Sequence, residues 1–254
     1  MSDTFELQKK IIKTGQDWIE KNKGKEAFFT NNQEAEKLIW TDPLAFVLAV
    51  LYDQGIKAER AWEIPYLLKI KLGYLDVKSI AETDEVFLIN LFNQPPKLHR
   101  FPKTMAKRTI DACKLIIRKY NGQPEKIWND NPRSSDLQSR FEEFNGIGQK
   151  KASMATNILV RDFNIAVKDK SGIDVSYDMH IRRVFLRTGL VEKDDVETIV
   201  TKARALNPEY PGVLDLGSWI IGRDYCHPTN PDCTRCPISS NCPKLIDKGK
   251  EIPA

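Results

Sequence analysis

Residues 144–159 read Phe-Asn-Gly-Ile-Gly-Gln-Lys-Lys-Ala-Ser-Met-Ala-Thr-Asn-Ile-Leu, a Gly-x-Gly turn with helical patterning on both sides. A hairpin of this kind presents unpaired backbone N–H groups at a helix N-terminus, where the helix dipole also favours an anion such as a phosphate oxygen. Gly146 and Gly148 permit the close approach of such a ligand. The simpler interpretation is a helix C-cap and turn, since glycine is the usual left-handed terminator. No strand precedes the turn and no third glycine follows, which argues against a dinucleotide-binding fingerprint.

A lysine and a carboxylate follow the turn. Lys150 and Lys151 open the second helix, and Asp178 lies in Tyr177-Asp-Met-His-Ile-Arg-Arg183. A lysine amine whose pKa is lowered can attack a sugar C1′ and form a Schiff base. A nearby carboxylate can stabilise the positive charge that develops as a glycosidic bond breaks, or transfer a proton. In the alternative interpretation, both lysines are surface residues and Asp178 caps the helix that starts at Met179.

Four of the five cysteines lie within seventeen residues, as Cys226-x6-Cys233-x2-Cys236-x5-Cys242. Thiolates select soft metal centres, so the spacing predicts zinc or an iron–sulfur cluster. Two disulfides are the alternative, but the N-terminus lacks a secretory signal pattern, and a reducing cytoplasm favours metal ligation. Zinc sites of four cysteines usually pair two short Cys-x2–4-Cys knuckles. Only one short knuckle is present here, which favours a [4Fe–4S] cluster.

The whole chain of 254 residues, with a net charge of +4, permits a polyanionic partner without requiring one. The most apolar stretch, residues 43–53, is too short to cross a bilayer, so no membrane association is expected. Apolar residues recur at three- and four-residue intervals and strand patterns are scarce, which predicts an all-α fold. The predicted helices are 4–22, 32–39, 43–52, 57–72, 104–120 and 195–205.

Taken in order, the glycine hairpin with its lysine, the Asp-x-His-Ile segment and the sequence from Gly222 into the cysteines resemble the endonuclease III branch of the helix-hairpin-helix DNA glycosylases. The resemblance is strong over residues 140–243 and weaker over 43–125. It implies an enzyme of base-excision repair that extrudes a damaged base from duplex DNA, removes it and cleaves the strand at the abasic site.

The resemblance also implies roles for individual residues. Lys150 corresponds to the nucleophile of the glycosylase/lyase members, with Lys151 as an alternative, and Asp178 corresponds to the essential carboxylate. Gln54 corresponds to the residue that fills the gap left by the extruded base. The four clustered cysteines correspond to the ligands of a [4Fe–4S] cluster. The expected DNA contacts are Gln54, Gly146, Gly148, Arg182, Arg183, Arg235 and Lys244.

Three segments depart from the family pattern. The Lys150–Asp178 separation is about ten residues longer than usual, with the surplus in residues 167–177, and a second insertion spans 129–138. A loop can absorb such lengths at small entropic cost. Residues 95–101 replace a short wedge loop, in which Leu98, His99 or Phe101 could insert into the duplex.

The predicted architecture is a helical domain of residues 40–160 that carries the hairpin, and a second domain of residues 1–39 and 161–254 that carries the cluster loop 226–242. The active site is expected in a cleft between them. We expect a cytoplasmic monomer that acts on double-stranded DNA, with oxidised pyrimidines as the family's default substrate. The lysine favours a bifunctional glycosylase over a monofunctional mismatch glycosylase. Two non-enzymatic functions stay open, a non-catalytic or redox-responsive iron–sulfur DNA-binding protein and a zinc-stabilised interaction module.

Overall fold

The computed structural model describes residues 2–22 and 28–252, and they fold into α-helices without a β-strand. The all-α prediction is confirmed. Two short 3₁₀ helices, Pro124–Ile127 and Ser239–Asn241, accompany the α-helices. The α-helices are α1 Ser2–Asn22, α2 Gln33–Thr41, α3 Pro43–Tyr52, α4 Ala58–Leu72, α5 Val77–Ala81, α6 Glu85–Asn93, α7 Pro102–Tyr120, α8 Ser134–Glu142, α9 Gln149–Arg161, α10 Met179–Arg187, α11 Val196–Leu206 and α12 Val213–Asp224.

The described residues form two compact units. The hairpin unit contains residues 28–132 and 139–151, and the cysteine unit contains residues 2–22, 133–138 and 152–252. Residues 28–39 belong to the hairpin unit, whereas the sequence analysis predicts them in the domain that carries the cysteine loop. The physical reason is aromatic packing, since the Phe29 ring stacks on Trp62 of α4 at a centroid distance of 4.5 Å. The contacts also place residues 133–138 and 152–160 in the cysteine unit.

The core of the hairpin unit is built around α3, whose residues Leu44–Tyr52 are all buried. Asp42 caps this helix by accepting hydrogen bonds from the amides of Leu44 and Ala45, and Pro43 occupies the first turn, where no amide is needed. The Phe46 ring contacts Trp128 and Phe141 at centroid distances of 5.8 and 6.4 Å. This core carries the hairpin.

In the cysteine unit, α12 packs against α1 and α10. Both contacts occur at glycines. A Cβ atom at Gly217 would overlap the backbone of Ile11, and one at Gly222 would lie 2.5 Å from the Cβ of His180. Close approach of α12 to α1 and α10 therefore fixes α12, whose end leads directly into the cysteine loop. Among the described residues, no helix is both long enough and apolar enough to span a bilayer.

Candidate active site and cysteine loop

The hairpin turn joins α8 to α9 within residues 143–148. Gly146 has a φ of +95°, a conformation that disfavours any side chain, and the guanidinium of Arg108 occupies the space that a Cβ would need. Around Gly148, by contrast, no heavy atom of the described residues, apart from Gly148 itself and its two chain neighbours, lies within 4 Å of an added Cβ. The fold thus requires glycine at Gly146, while Gly148 leaves the N-terminus of α9 open.

The two lysines after the turn lie in different environments. The Lys150 side chain is 40% exposed, and its Nζ lies 4.0 Å from a carboxylate oxygen of Asp53 at the end of α3. Lys151 is 7% exposed, and its Nζ donates to the backbone oxygens of Leu51 and Gly146 at 2.7 and 3.0 Å. Lys151 therefore ties the C-terminus of α3, where carbonyl groups lack helical partners, to the hairpin.

The pKa of Lys151 would favour this residue as the nucleophile, whereas its geometry favours Lys150. The pKa of Lys151 is lowered to about 8, chiefly by burial; the Asp53 carboxylate opposes the shift, and the positive charges of Arg108 and Lys150 add to it. A lowered pKa suits a nucleophile. The geometry outweighs the pKa, because a buried nitrogen that donates to two carbonyl groups cannot reach a sugar without breaking both bonds. Lys150 is the accessible amine.

Asp178 is the N-cap of α10 in the cysteine unit, as the alternative interpretation of this residue predicts. It is 6% exposed, and its Oδ1 accepts a hydrogen bond from the amide of His180 at 2.9 Å. Two residues earlier, the amide of Ser176 donates to Oδ1 of the buried Asp215 at 2.6 Å. Burial raises the pKa of Asp215. The cap and the neighbouring contact hold the Asp178 segment in place.

Arg183, predicted as a DNA contact, is instead fully buried. Its guanidinium donates to the backbone oxygens of Cys226 and Gly222. It therefore supports the cysteine loop. Arg187, one helical turn later and 2% exposed, does the same, although the sequence pattern predicts no role for it. Its Nη1 and Nη2 donate to the carbonyl oxygens of His227 and Pro228 at 2.6 and 2.8 Å. The available sequence signal was that Arg183 and Arg187 lie four residues apart, on the same side of α10, with Val184, Phe185 and Leu186 between them.

The remaining predicted cationic contacts are partly engaged within the cysteine unit. Arg182 pairs with Asp194 and lies 4.5 Å from the centre of the Tyr177 ring. Arg235, whose side chain is 79% exposed, pairs with Asp232 on the cysteine loop. Lys244 is exposed just beyond the last cysteine. Their DNA contacts stay predictions.

The four clustered cysteines are half-buried, carry no disulfide and line a single cavity together with Arg187 and Tyr225. Burial raises the pKa of the Cys236 thiol to about 11 and also raises that of Cys242. Within the described residues, no set of three or more Cys, His, Asp or Glu side chains is drawn together in a metal-binding arrangement. What the structure provides is four soft donors around one cavity, a donor set that fits an iron–sulfur cluster.

Comparison with known proteins gives one sequence match and several structural ones. The chain is 25% identical over 172 residues to endonuclease III of Buchnera aphidicola subsp. Baizongia pistaciae (strain Bp), over 67% of this chain and 66% of that protein. The match thus spans slightly less than two thirds of the relative's length. No family model matches the chain.

Among solved structures, a trapped endonuclease III–DNA covalent intermediate with an estranged adenine aligns with a TM-score of 0.61 at 18% identity, covering 83% of this chain and 92% of that one. The chain has the endonuclease III fold. A thermostable thymine-DNA glycosylase aligns over 95% of this chain and 97% of that one, with a TM-score of 0.65 and 16% identity. The predicted resemblance to the endonuclease III branch is confirmed.

The two segments predicted as insertions into the endonuclease III pattern contact each other. The Ser134 hydroxyl donates to Asp169 at 2.6 Å and accepts a hydrogen bond from the amide of Gly172 at 2.9 Å. A Cβ at Gly172 would lie 2.6 Å from the backbone nitrogen of Ser135, so this contact needs glycine. The hydrogen bond from Ser134 lowers the pKa of Asp169. Ser134 and Ser135 of segment 129–138 thus contact residues 169–172 of segment 167–177 within the cysteine unit.

The three candidate wedge residues in segment 95–101 differ in exposure. Leu98 and His99 are 1% and 2% exposed, whereas Phe101 is 39% exposed. Nδ1 of His99 accepts a hydrogen bond from the Phe101 amide at 2.9 Å, and Nε2 lies 3.0 Å from the backbone carbonyl oxygen of Tyr52. Burial lowers the pKa of His99, which favours the neutral ring that this pair of bonds requires. The Phe101 ring rests against Gly55, next to Gln54.

Proposed function

We propose that the chain is a DNA glycosylase with β-lyase activity, which removes a damaged base from duplex DNA and cleaves the strand at the abasic site. The observation that carries this proposal is the position of Lys150. On an endonuclease III fold, an accessible lysine opens the helix after the glycine hairpin, with a carboxylate oxygen of Asp53 4.0 Å from its Nζ.

In the proposed reaction, the neutral Lys150 amine attacks C1′ of the extruded nucleotide, and the bond from C1′ to the base breaks with its electron pair leaving on the base. The Asp178 carboxylate stabilises the positive charge that develops on the sugar. The resulting ammonium loses one proton. The C1′–O4′ bond then breaks as the nitrogen lone pair forms the C1′=N bond, and O4′ takes up a proton, which gives a protonated Schiff base. Removal of a C2′ proton then expels the 3′ phosphate, which cleaves the strand.

Incubation with a panel of single-lesion duplexes, with and without borohydride, tests the proposal. We expect base release, strand cleavage and a borohydride-trapped covalent complex on at least one oxidised pyrimidine. Base release without trapping would indicate a monofunctional glycosylase. Redox-dependent binding to undamaged DNA, with no lesion cleaved, would indicate a non-catalytic protein and overturn the proposal.

We further propose that Cys226, Cys233, Cys236 and Cys242 hold a [4Fe–4S] cluster in a reducing, cytoplasmic environment. The cluster would hold the loop in one conformation and would carry no chemistry on the sugar. Arg187 supports this role, since its guanidinium binds two carbonyl oxygens of the loop and lies 3.6 Å from the Cys226 sulfur.

Replacing Cys236 with serine is expected to remove the broad visible absorption of an iron–sulfur protein and to lower thermal stability and DNA affinity, because a missing ligand frees the loop. Absorption spectra, iron content and duplex binding measure this result. Cys113→Ser is the matched control, because Cys113 is buried in the hairpin unit and lies outside the loop, so its variant should keep the visible absorption. Full glycosylase activity in a cluster-free Cys236→Ser protein would contradict the structural role.

We propose Phe101 as the residue that inserts into the duplex, because it alone of the three candidates is exposed. Replacing it with alanine is expected to weaken binding to an abasic duplex by about 5- to 100-fold, the effect of losing one base–aromatic stack. Fluorescence anisotropy measures the affinity. Phe87→Ala, which removes an exposed ring on α6, is the control and should bind normally. Equal affinities of the two variants would exclude Phe101 as the wedge.

A further inference from the structure

His99 connects the proposed wedge residue to the end of α3. Its side chain is buried, and each of its two ring nitrogens contacts a backbone group. Nδ1 accepts from the amide of Phe101 at 2.9 Å, and Nε2 lies 3.0 Å from the carbonyl oxygen of Tyr52, the last residue of α3. Tyr52 precedes His99 by 47 positions. His99 therefore ties the segment that carries Phe101 to the central helix of the hairpin unit.

Of these two contacts, the one with Phe101 depends more on His99. Phe101 lies just before the first residue of α7, so its amide is outside the hydrogen bonds of that helix. The Tyr52 oxygen, by contrast, also accepts from the amide of Gln54 at 2.7 Å. Removal of the histidine ring would thus release the Phe101 backbone, while the Tyr52 oxygen would keep a donor.

The His99 ring also contacts the Phe101 ring. The two ring centroids lie 5.7 Å apart, with an angle of 42° between the ring planes. The nearest atom of the Phe101 ring lies 3.0 Å from where a Cβ of Gly55 would stand. The exposed ring is thus held in one place before DNA binds, and such preorganisation lowers the conformational cost of binding.

Both backbone contacts require a neutral His99 ring. Nε2 must carry the proton in order to donate to the Tyr52 oxygen, which leaves Nδ1 as an acceptor. A second proton on Nδ1 would point at the N–H of Phe101, so two donors would face each other. Protonation of His99 would therefore break the bond to Phe101 and keep the one to Tyr52.

The surroundings of His99 favour the neutral ring. The pKa of His99 is lowered, chiefly by burial; the bond to the Tyr52 oxygen opposes the shift, and the positive charges of Lys151, Arg108 and Arg60 add to it. These charges come from α9, α7 and α4. The ring is therefore neutral at pH 7, and it takes a second proton only when the pH falls below about 6.5, the ordinary histidine value.

We propose that His99 is a positioning residue, which holds Phe101 ready to insert into the duplex and does so only as a neutral ring. The wedge then contributes fully to DNA binding at neutral pH and loses part of its contribution in mildly acidic solution. The inference rests on the proposed function, through Phe101 as the wedge, and adds a buried residue that controls the wedge through its backbone.

The preference for a duplex with a tetrahydrofuran abasic analogue over an intact duplex tests this inference. It is measured by fluorescence anisotropy from about pH 8 to about pH 5 at constant salt. We expect the wild-type preference to fall about 2- to 10-fold in acid, the effect of losing one hydrogen bond. His99→Leu should show the reduced preference at every pH.

His99→Asn is the conservative variant. Its side-chain oxygen stands where Nδ1 of the histidine stands and can accept from the Phe101 amide, but the asparagine does not titrate. The variant should therefore keep most of the wild-type preference at neutral pH and hold it constant into acid. A residue that served only the packing of the hairpin unit would show neither the rescue nor the loss of pH dependence.

The Phe101→Ala background separates the positioning of the wedge from other effects of His99. Without the Phe101 ring, neither acid pH nor His99→Leu should change the preference further, because the two residues act through one interaction. Unfolding temperatures of all variants over the same pH range identify any loss of affinity that comes from unfolding.

The outcomes separate this inference from the proposed function. A wild-type preference that does not change with pH, a pH dependence that survives in His99→Asn, or an equal effect of His99→Leu with and without the Phe101 ring would each overturn the positioning role. Binding of the abasic duplex no tighter than the intact one at any pH would overturn Phe101 as the wedge and this inference with it. Borohydride trapping on a lesion duplex reports the glycosylase and lyase activity independently of these results.

Discussion

Replacing Lys150 with alanine is expected to abolish the borohydride-trapped complex with DNA and to lower strand cleavage by roughly 10⁴-fold or more, the scale of loss when an enzyme's nucleophile or its partner is removed. The reason is that the Schiff base needs a primary amine at the sugar, and Lys150 is the accessible amine of the hairpin. Gel analysis of trapped complexes on abasic and lesion duplexes measures the result.

Two other lysine variants make this experiment decisive. Lys126→Ala removes an exposed lysine of the same unit and should trap as the wild type does. Lys151→Met removes the donor to the carbonyl oxygens of Leu51 and Gly146, which should destabilise the protein by about 1–3 kcal/mol. Its folded fraction should still trap. Undiminished trapping in Lys150→Ala, together with loss in Lys151→Met, would identify Lys151 as the nucleophile.

Replacing Asp178 with asparagine is expected to slow base excision by about 10²- to 10⁴-fold, while thermal stability changes little. Asparagine is as good an N-cap as aspartate, so its side-chain oxygen can still accept from the amide of His180. The substitution therefore removes the negative charge and keeps the cap. Single-turnover rates on a lesion duplex, measured beside the unfolding temperature, report the two effects separately.

Asp195 provides the matched control, because it caps α11 in the same way by accepting from the amide of Thr198 at 2.8 Å. Asp195→Asn should leave both rate and stability close to the wild type. If Asp178→Asn excised bases at the wild-type rate, the capping role would account for Asp178 and the carboxylate would have no part in the chemistry.

Much of the secondary structure follows from local pattern. The helix predicted at 43–52 has the bounds of α3, the one predicted at 57–72 begins one residue before α4, and the one predicted at 195–205 is shifted by one residue from α11 at both ends. In contrast, α6 and α12 were not predicted. α12 contains Gly217 and Gly222, which disfavour an isolated helix and are needed for close contact with Ile11 and His180. Tertiary contact overrides the local preference there.

The sequence by itself determined the all-α class, the glycine hairpin with its lysines, the Asp178 segment and the four-cysteine loop. Each depends on the spacing of residues close together in the chain, where helical periodicity and short loops restrict geometry strongly. The same local logic predicted DNA contacts from neighbouring charges in residues 182–183, and for Arg183 it was wrong, because exposure is not a local property.

Only the tertiary structure decided which side chains are accessible to a ligand and which are engaged in hydrogen bonds within the protein. Lys151 is engaged because Leu51, 100 residues earlier, brings a helix-terminal carbonyl to it. Phe101 differs from Leu98 and His99 in being exposed, and Arg108 hydrogen-bonds the side chain of Gln54, 54 positions earlier in the chain. The physical reason is that burial and hydrogen-bond partners come from residues distant in sequence, so adjacent lysines or arginines with the same pattern can differ completely in what they do.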